Sequence, residues 1–462
     1  MSAKRDASAP AKPGLVVRLA AAKLLGAVID ARTALDGLTD DEHGHPTYRA
    51  LDARDRSLLR AILLSALRHR SQIADVLAHR LDRPLPKNAR SLEHHLHVGV
   101  AQLLFLDVPD SAAVDLGVEA VASDPRTRRF AGLANALLRR IGREKDRIAG
   151  WLANNPPRPP EWLDQRLRDA YGPERAAAIA AALAHEAPLD FTVRGHARSW
   201  AEHVGGTVLS TGTVRLGSVD GPVSGMPGFA EGEWWVQDAA SALPVKLFGD
   251  LTGKRALDLC AAPGGKSAQL ATAGASVTAV EINANRSRRL VANLRRLGIE
   301  ARIVVGDALK LERDALDAGE GFDAVLLDAP CSSTGTIRRH PDVAWTKTPD
   351  DVAKLANVQS RLLARAAEFV RPGGTLVFSN CSLLPEEGEE VTSAFLRANQ
   401  DFSLAPIEWS ELGDDREAVA PMIVATGPVA GTLRTTPDML RADEPRMSGL
   451  DGFHAARFVR SV

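Results

Sequence analysis

With 462 residues, 45% of them hydrophobic and 25% charged, the chain can bury more than one core and is expected to divide into two to four domains. Its three cysteines, Cys260, Cys331 and Cys381, are too few and too dispersed for a disulfide framework, which points to a reducing compartment. No uncharged apolar run reaches the roughly 18 residues of a membrane span, and the polar start, Met1 to Gly14, lacks the apolar core of a signal peptide. A cytoplasmic protein with no membrane partner is expected, with residues 1–14 disordered.

The net charge of −1 conceals an asymmetry. Residues 1–150 carry 24 basic and 18 acidic side chains, a net +6, whereas 151–240 carry −4 and 241–462 carry −3. A positive first third suits a polyanion, because cationic side chains gain by releasing counterions condensed on phosphates. From Val16 to Arg147 apolar residues recur three and four apart, as in Leu58, Leu59, Ile62, Leu63, Ala66 and Leu67, so residues 15–150 read as an all-α domain. Arg128 and Arg129 precede one of its amphipathic stretches and Arg139 and Arg140 close it, and the first pair are candidate RNA contacts. Glu93, His94, His95 and His97 lack both a cysteine nearby and the spacing of a full ligand set, so no metal is expected.

Asn154 to Pro160 contains four prolines and cannot continue a helix, so a linker is expected to open a small α+β module at 151–240. A helix over Glu174–His185 and short strands over Asp190–Val193, Thr207–Leu209 and Thr213–Leu216 are predicted within it. Trp234 and Trp235 read as core or interface residues in preference to base-stacking ones. From 241 to 462, short apolar strands alternate with helical patterns, the signature of a doubly wound parallel sheet. Its strands are predicted at Ala256–Leu259, Ser276–Val280, Ala301–Val305, Ala324–Leu327 and Thr375–Phe378. In such sheets ligands bind beyond the carboxyl ends of the strands.

The distinctive residues all fall at those ends. Cys260, Ala261, Ala262, Pro263, Gly264, Gly265 and Lys266 form a small-residue loop after the first strand, opening a helix whose unpaired N–H groups can meet a ligand. The phosphate-loop pattern matches at Gly265, Lys266 and Ser267 but places Cys260 where its first glycine belongs, which disfavours an NTPase. Glu281 ends the second strand, where a carboxylate can accept bonds from ribose hydroxyls, and Asp307 follows the third. This set suits a nucleoside without a pyrophosphate, such as S-adenosyl-L-methionine. Asp328 and Cys331 follow the fourth strand and Cys381 the fifth, so two thiols reach the same rim. A thiolate can add to an electron-poor ring carbon, as alkylation of a pyrimidine at C5 requires.

Three segments carry a resemblance to a known family. Asp258 to Lys266 looks like a cofactor motif, Asp328-Ala329-Pro330-Cys331-Ser332 like motif IV, and Asn380-Cys381-Ser382 like motif VI of the RNA cytosine-C5 methyltransferases of the Nol/Nop2/Sun family, with Asn380 in place of the usual threonine. Thr336 to Asp342 is similar to the branch acting on bacterial small-subunit (16S) rRNA, and Arg54-Asp55-Arg56 with Gly132 to Arg140 resembles a NusB-type RNA-binding domain. The resemblance implies an all-α NusB-like domain, an RRM-like module and a C-terminal α/β Rossmann-like methyltransferase domain. It implies Cys381 as the nucleophile at cytosine C6, Cys331 as the group assisting release, and Asp328 near cytosine N3. Cys260 to Lys266, Glu281, Asp307 and Asp328 then contact S-adenosyl-L-methionine, and Arg338, Arg339 and His340 meet the 16S rRNA. The competing readings are a non-catalytic RNA-binding or antitermination factor with a vestigial methyltransferase domain, or the same chemistry on another RNA.

Overall fold

A computed structural model describes residues 12–86, 88–219 and 221–462. Most of the expected disordered start, residues 1–11, lies outside the described residues. The chain forms two compact units, one running through Gln165 together with His340–Lys347, the other comprising Arg166–Arg339 and Thr348–Val462.

The first unit is helical. Its main helices are Leu15–Ile29, Ala53–Arg68, Arg70–Ala78, Arg90–Phe105, Asp110–Ser123, Ala131–Arg143 and Lys145–Asn154. Helix Ala53–Arg68 starts where the Asp52 carboxylate accepts the Asp55 amide at 2.7 Å. Its Leu59, Ile62, Leu63, Ala66 and Leu67 form the buried stripe that the spacing predicts, with Leu58 half-buried beside it. Leu138 fits where two other helices carry glycine: a Cβ on Gly99 would stand 2.9 Å, and one on Gly117 3.0 Å, from its methyl carbons. The segment His340–Lys347 belongs to this unit through Trp345, which packs on the same core and donates its indole N–H to Leu67 O at 3.1 Å. His94 and His95 are buried beside Asp30 and Asp124, and His97 is buried nearby.

The second unit contains two sheets. Strands β1 (Leu189–Val193), β2 (Thr207–Val208), β3 (Val214–Leu216) and β4 (Trp234–Val236) pair antiparallel in the order β2-β3-β1-β4. The helix Ala197–Val204 lies between β1 and β2 in sequence, but only a one-turn 3₁₀ segment, Val223–Gly225, separates β3 from β4. β4 was not foreseen, because the Trp pair in it reads equally as buried filler. Trp234 is fully buried against Phe191 and Phe229, and Trp235 packs in the core beneath the larger sheet, so neither indole is a base-stacking platform.

The larger sheet has β5 (Arg255–Leu259), β6 (Ser276–Glu281), β7 (Arg302–Val305), β8 (Phe322–Asp328), β9 (Val370–Asn380), β10 (Phe402–Leu404), β11 (Leu433–Thr435) and β12 (Phe453–Arg460). The order is β10-β12-β9-β8-β5-β6-β7, parallel from β7 to β9, with β12 antiparallel to β9 and β11 pairing β12. Alternate residues face opposite layers. Ala256, Ala279, Leu326 and Val377 pack toward the helices Gly265–Thr272 and Ala284–Arg296, whereas Leu257, Val280, Leu327 and Phe378 pack toward Pro349–Phe369 and Glu389–Ala398. The strand order reverses at β5, so the crevice for a ligand lies past the ends of β5 and β8.

Residues 156–160 form neither helix nor strand, as their prolines require, and the helix Glu161–Tyr171 begins directly after them. The small sheet shares one compact unit with the larger one. A buried charge network ties them. Arg215 makes two 2.7 Å bonds to Asp190, both side chains wholly buried, while Arg339 donates to Asp238 at 2.6 Å and Asp451 at 3.2 Å. The same network removes Arg338 and Arg339 from the candidate RNA surface. Arg338 is buried and donates to Ser448 O and Glu186 O, and Arg339 is committed to two carboxylates and Pro188 O. Leaving Asp238 and Asp451 buried without their cation is costly, so Arg339→Ala should destabilise the protein by about 3–5 kcal/mol. Thermal unfolding checks this, and an Arg339→Ala protein of unchanged stability but weakened RNA affinity would restore the surface reading.

Candidate active site

The loop after β5 is shaped for close approach to its backbone. Cys260 adopts φ +64° and Gly264 φ +108°, and a Cβ on Gly264 would come within 2.8 Å of Leu290. Helix Gly265–Thr272 then begins with its N-terminal amides at the crevice. Burial raises the Cys260 thiol to about 12, so this cysteine stays neutral. Burial likewise lifts Asp258 to about 7, and Ser267 Oγ donates to its Oδ2 at 2.5 Å.

Glu281 is 1% exposed at the end of β6. One carboxylate oxygen accepts the Asn283 amide at 2.9 Å; the other, Oε2, is buried without a hydrogen-bond partner and lies 3.6 Å from the Arg286 guanidinium. A buried acceptor left open at this rim is the feature a ribose hydroxyl would satisfy. Asp307, after β7, accepts the Leu309 amide at 3.1 Å and remains partly accessible.

A cavity of about 440 Å³ opens beside the loop, lined by Cys260 to Lys266, Asp258, Ser241 and Asp328 and, from the small sheet's side, by Trp235. Lys266 does not turn toward its own loop. Its Nζ lies 2.7 Å from Asp328 Oδ2, 3.0 Å from Ser241 Oγ and 5.0 Å from the centre of the Phe453 ring. Asp328 Oδ1 accepts from Ser379 at 2.9 Å, so a lysine and a serine fix this carboxylate from both sides.

Cys331 and Cys381 meet across the ends of β8 and β9, their sulfurs 3.4 Å apart and both side chains partly accessible. The hydrogen bond to Cys381, burial and the nearby Glu387 charge together push the Cys331 thiol well above its usual range. Cys331 therefore holds a proton and is placed to offer it to the Cys381 sulfur.

What fixes the two thiols is a residue to which the sequence assigned no role. Glu387 is wholly buried. It accepts from the Ser332 amide at 2.7 Å, from Ser332 Oγ, from Ser382 Oγ at 2.6 Å and from Gln359 Nε2 at 3.1 Å. Ser332 and Ser382 directly follow the two cysteines, so one carboxylate ties both thiol loops together. Gly335 adds a backbone bond to Cys381 O at 2.9 Å. Asn380, the departure from the usual threonine, accepts the Ser382 amide at 3.0 Å and donates to Glu387 O at 2.7 Å, so the substituted side chain supports the Cys381 loop. The signal for Glu387 was its place six residues after Cys381; its burial was invisible before folding.

Of the expected RNA contacts, Arg128 and Arg129 are exposed, and His340, half-exposed, lies 3.5 Å from Asp36 in the helical unit. Among the described residues no group of metal-ligating side chains is found, and no helix is long and apolar enough to cross a membrane.

Residues 250–459 match the family profile for the 16S rRNA methyltransferase RsmB/F, and residues 16–143 match the NusB family. The chain is similar to ribosomal RNA small subunit methyltransferase B of Klebsiella pneumoniae subsp. pneumoniae, with 34% identity over 85% of this chain and 92% of that one. It is 36% identical to the protein of the same name from Xanthomonas campestris pv. campestris, over 87% of this chain and 92% of that one. Among solved structures, PH0851 superposes over 98% of this chain and 100% of its own with a TM-score of 0.68 at 23% identity, a likeness of fold. The fold and the loop after β5 define a Rossmann-like methyltransferase joined to a NusB-like helical domain. The chain belongs to the RsmB/F family of 16S rRNA methyltransferases.

Proposed function

We propose that the protein methylates C5 of a cytosine in 16S rRNA through a covalent bond between Cys381 and C6 of the base. The observation that carries this reading is the pair of sulfurs 3.4 Å apart at adjacent strand ends beside the loop after β5. The cofactor is S-adenosyl-L-methionine, which supplies an electrophilic methyl group when bound. Cys260 to Gly265 would hold it with their backbone, Glu281 Oε2 would accept from its ribose, and Asp307 completes the rim. Asp328, fixed by Lys266 and Ser379, is assigned to cytosine N3.

The Cys381 thiolate adds to C6, and the electron density displaced onto C5 makes that carbon the nucleophile toward the methyl group. Once Cys381 is bonded to carbon, its sulfur no longer draws the hydrogen bond that chiefly keeps Cys331 protonated. Cys331 loses that proton to solvent and takes the C5 proton. The C5–H electron pair re-forms the C5–C6 double bond, the C6–S bond breaks, and its electron pair returns to Cys381. The target base must leave its stack to reach the thiols.

Retention of both thiols, the open acceptor on Glu281 and the tied loops favours this over a vestigial domain. Digestion of rRNA after incubation with purified protein and cofactor should yield 5-methylcytidine. Methylation at another atom would overturn the C5 assignment, and methylation only of an RNA other than 16S would change the substrate. Glu281→Ala should weaken cofactor binding roughly ten- to a hundredfold, the loss of a charge-assisted hydrogen bond worth about 1.5–3 kcal/mol. Calorimetry reads this directly, and an unchanged dissociation constant would place the ribose elsewhere.

A further inference from the structure

In the helical unit, the end of helix Arg70–Ala78, the last turn of Ala131–Arg143 and helix Lys145–Asn154 enclose a cavity of about 360 Å³. Val76, Ile148 and Trp151 give it apolar walls, and Arg80, Arg140 and Arg147 give it a cationic rim. Its volume lies within the range of about 300–1,000 Å³ usual for small-ligand sites.

The three guanidiniums converge on one carboxylate, Glu144, with contacts of 2.9 Å from Arg80, 3.1 Å from Arg140 and 2.6 Å from Arg147. Their hydrogen bonds, that of Arg140 first, hold Glu144 at about 2, so it stays ionised and the cluster keeps a net charge of two positive. The arginines are not equivalent. Arg80 is 9% exposed and spends a further N–H on Val76 O, which makes it part of the scaffold. Arg140 and Arg147 have side chains 46% and 72% exposed, and each meets Glu144 through one edge of a guanidinium that carries five N–H donors. Trp151 is half-buried beside His79, their ring centroids 6.1 Å apart.

We propose that this pocket binds one nucleotide of an unpaired RNA strand, with the phosphate on Arg140 and Arg147 and the base against the Trp151 indole. An inorganic anion would use the rim and leave the apolar walls idle. An acidic peptide side chain offers no flat ring for the indole. A nucleotide unites a phosphate with a stacking face, the combination that single-strand sites use. The site gives the +6 charge of residues 1–150 a defined point of contact. Arg128 and Arg129, before the opposite end of helix Ala131–Arg143, are exposed and lie outside this cavity. The inference rests on an RNA substrate and adds where the helical unit grips it.

The test measures binding of the full-length protein to deproteinised 16S rRNA across a salt series. Arg140→Gln with Arg147→Gln leaves the Arg80–Glu144 pair in place. It should weaken binding about tenfold or more at low salt and lower the slope of log affinity on log salt by about 0.7, the loss of one single-strand phosphate contact. Trp151→Leu should weaken binding about tenfold with the slope unchanged, and Trp151→Tyr should recover most of the loss. Wild-type affinity and slope in both the arginine and the leucine variants, with unfolding temperatures unchanged, would overturn the proposal. So would a loss confined to Arg128→Gln with Arg129→Gln. The yield of 5-methylcytidine from the wild-type preparation is read in parallel. If it is absent while binding depends on the pocket, the C5 reading fails and this one stands.

Discussion

Cys381→Ala should abolish methyl transfer, a loss of about 10,000-fold or more, while leaving cofactor affinity and unfolding temperature near those of the wild type. The side chain is partly accessible at a strand end and its sulfur does not hold the sheet together, so its removal leaves little to collapse. The base, in contrast, loses the only route by which C5 becomes nucleophilic, since an intact cytosine ring does not attack an alkyl donor at that carbon. Transfer of tritium from labelled cofactor to rRNA measures the loss, and calorimetry with cofactor alone confirms that the fold and cofactor site survive. Substantial residual transfer would mean that the thiol is a packing residue.

Glu387→Ala should be strongly destabilising. It strands the buried Ser332 amide and takes a charged partner from two serine hydroxyls and the Gln359 amide, which keep Thr334 Oγ1 and Pro330 O as partners. A stranded buried donor costs about 1–3 kcal/mol and the lost charge-assisted bonds add to it, so a net loss of about 3–5 kcal/mol is expected. The milder Glu387→Gln keeps the shape but gives up the charge and one acceptor. It should fold, bind cofactor normally and lose roughly ten- to a hundredfold in kcat, because shifts of about 1 Å between reacting groups cost on that scale. Unfolding temperature, cofactor dissociation constant and kcat, measured for both variants, separate instability from misplacement. A Glu387→Gln protein with wild-type kcat would show that the carboxylate contributes to stability alone.

The sequence made the strand ends legible because both faces of a central parallel sheet are buried and each strand is a short apolar run closed by small or acidic residues. Cys260, Glu281, Asp328, Cys331 and Cys381 all end up where that pattern put them. Side-chain direction was not legible. Lys266 lies in the first turn of the helix after the glycine loop, yet its flexible stem carries the ammonium across to Asp328. Arg338 and Arg339 read as a basic surface run, but their partners Asp238, Asp451 and the Ser448 carbonyl lie about a hundred residues away in sequence. No local signal reveals such a partner. The two-tryptophan strand β4 failed for a related reason, since three residues, two of them buried and the third exposed, are too few to show a period. Asn380 replaces threonine without loss of support because its amide both accepts and donates, a property fixed by residue chemistry but checkable only once Ser382 and Glu387 were placed.

The covalent route is tested most directly by Cys331→Ala incubated with 16S rRNA and radiolabelled cofactor, then resolved by denaturing gel electrophoresis. In the proposed mechanism, addition at C6 and methyl transfer need only Cys381, whereas release of the product needs the proton acceptor 3.4 Å away. The expected result is a labelled protein–RNA band that survives denaturation, contains Cys381 bonded to a methylated cytosine, and is absent from Cys381→Ala and from the double variant. Normal turnover by Cys331→Ala with no such band, or a band in the Cys381→Ala lane, would contradict the assignment of the two thiols.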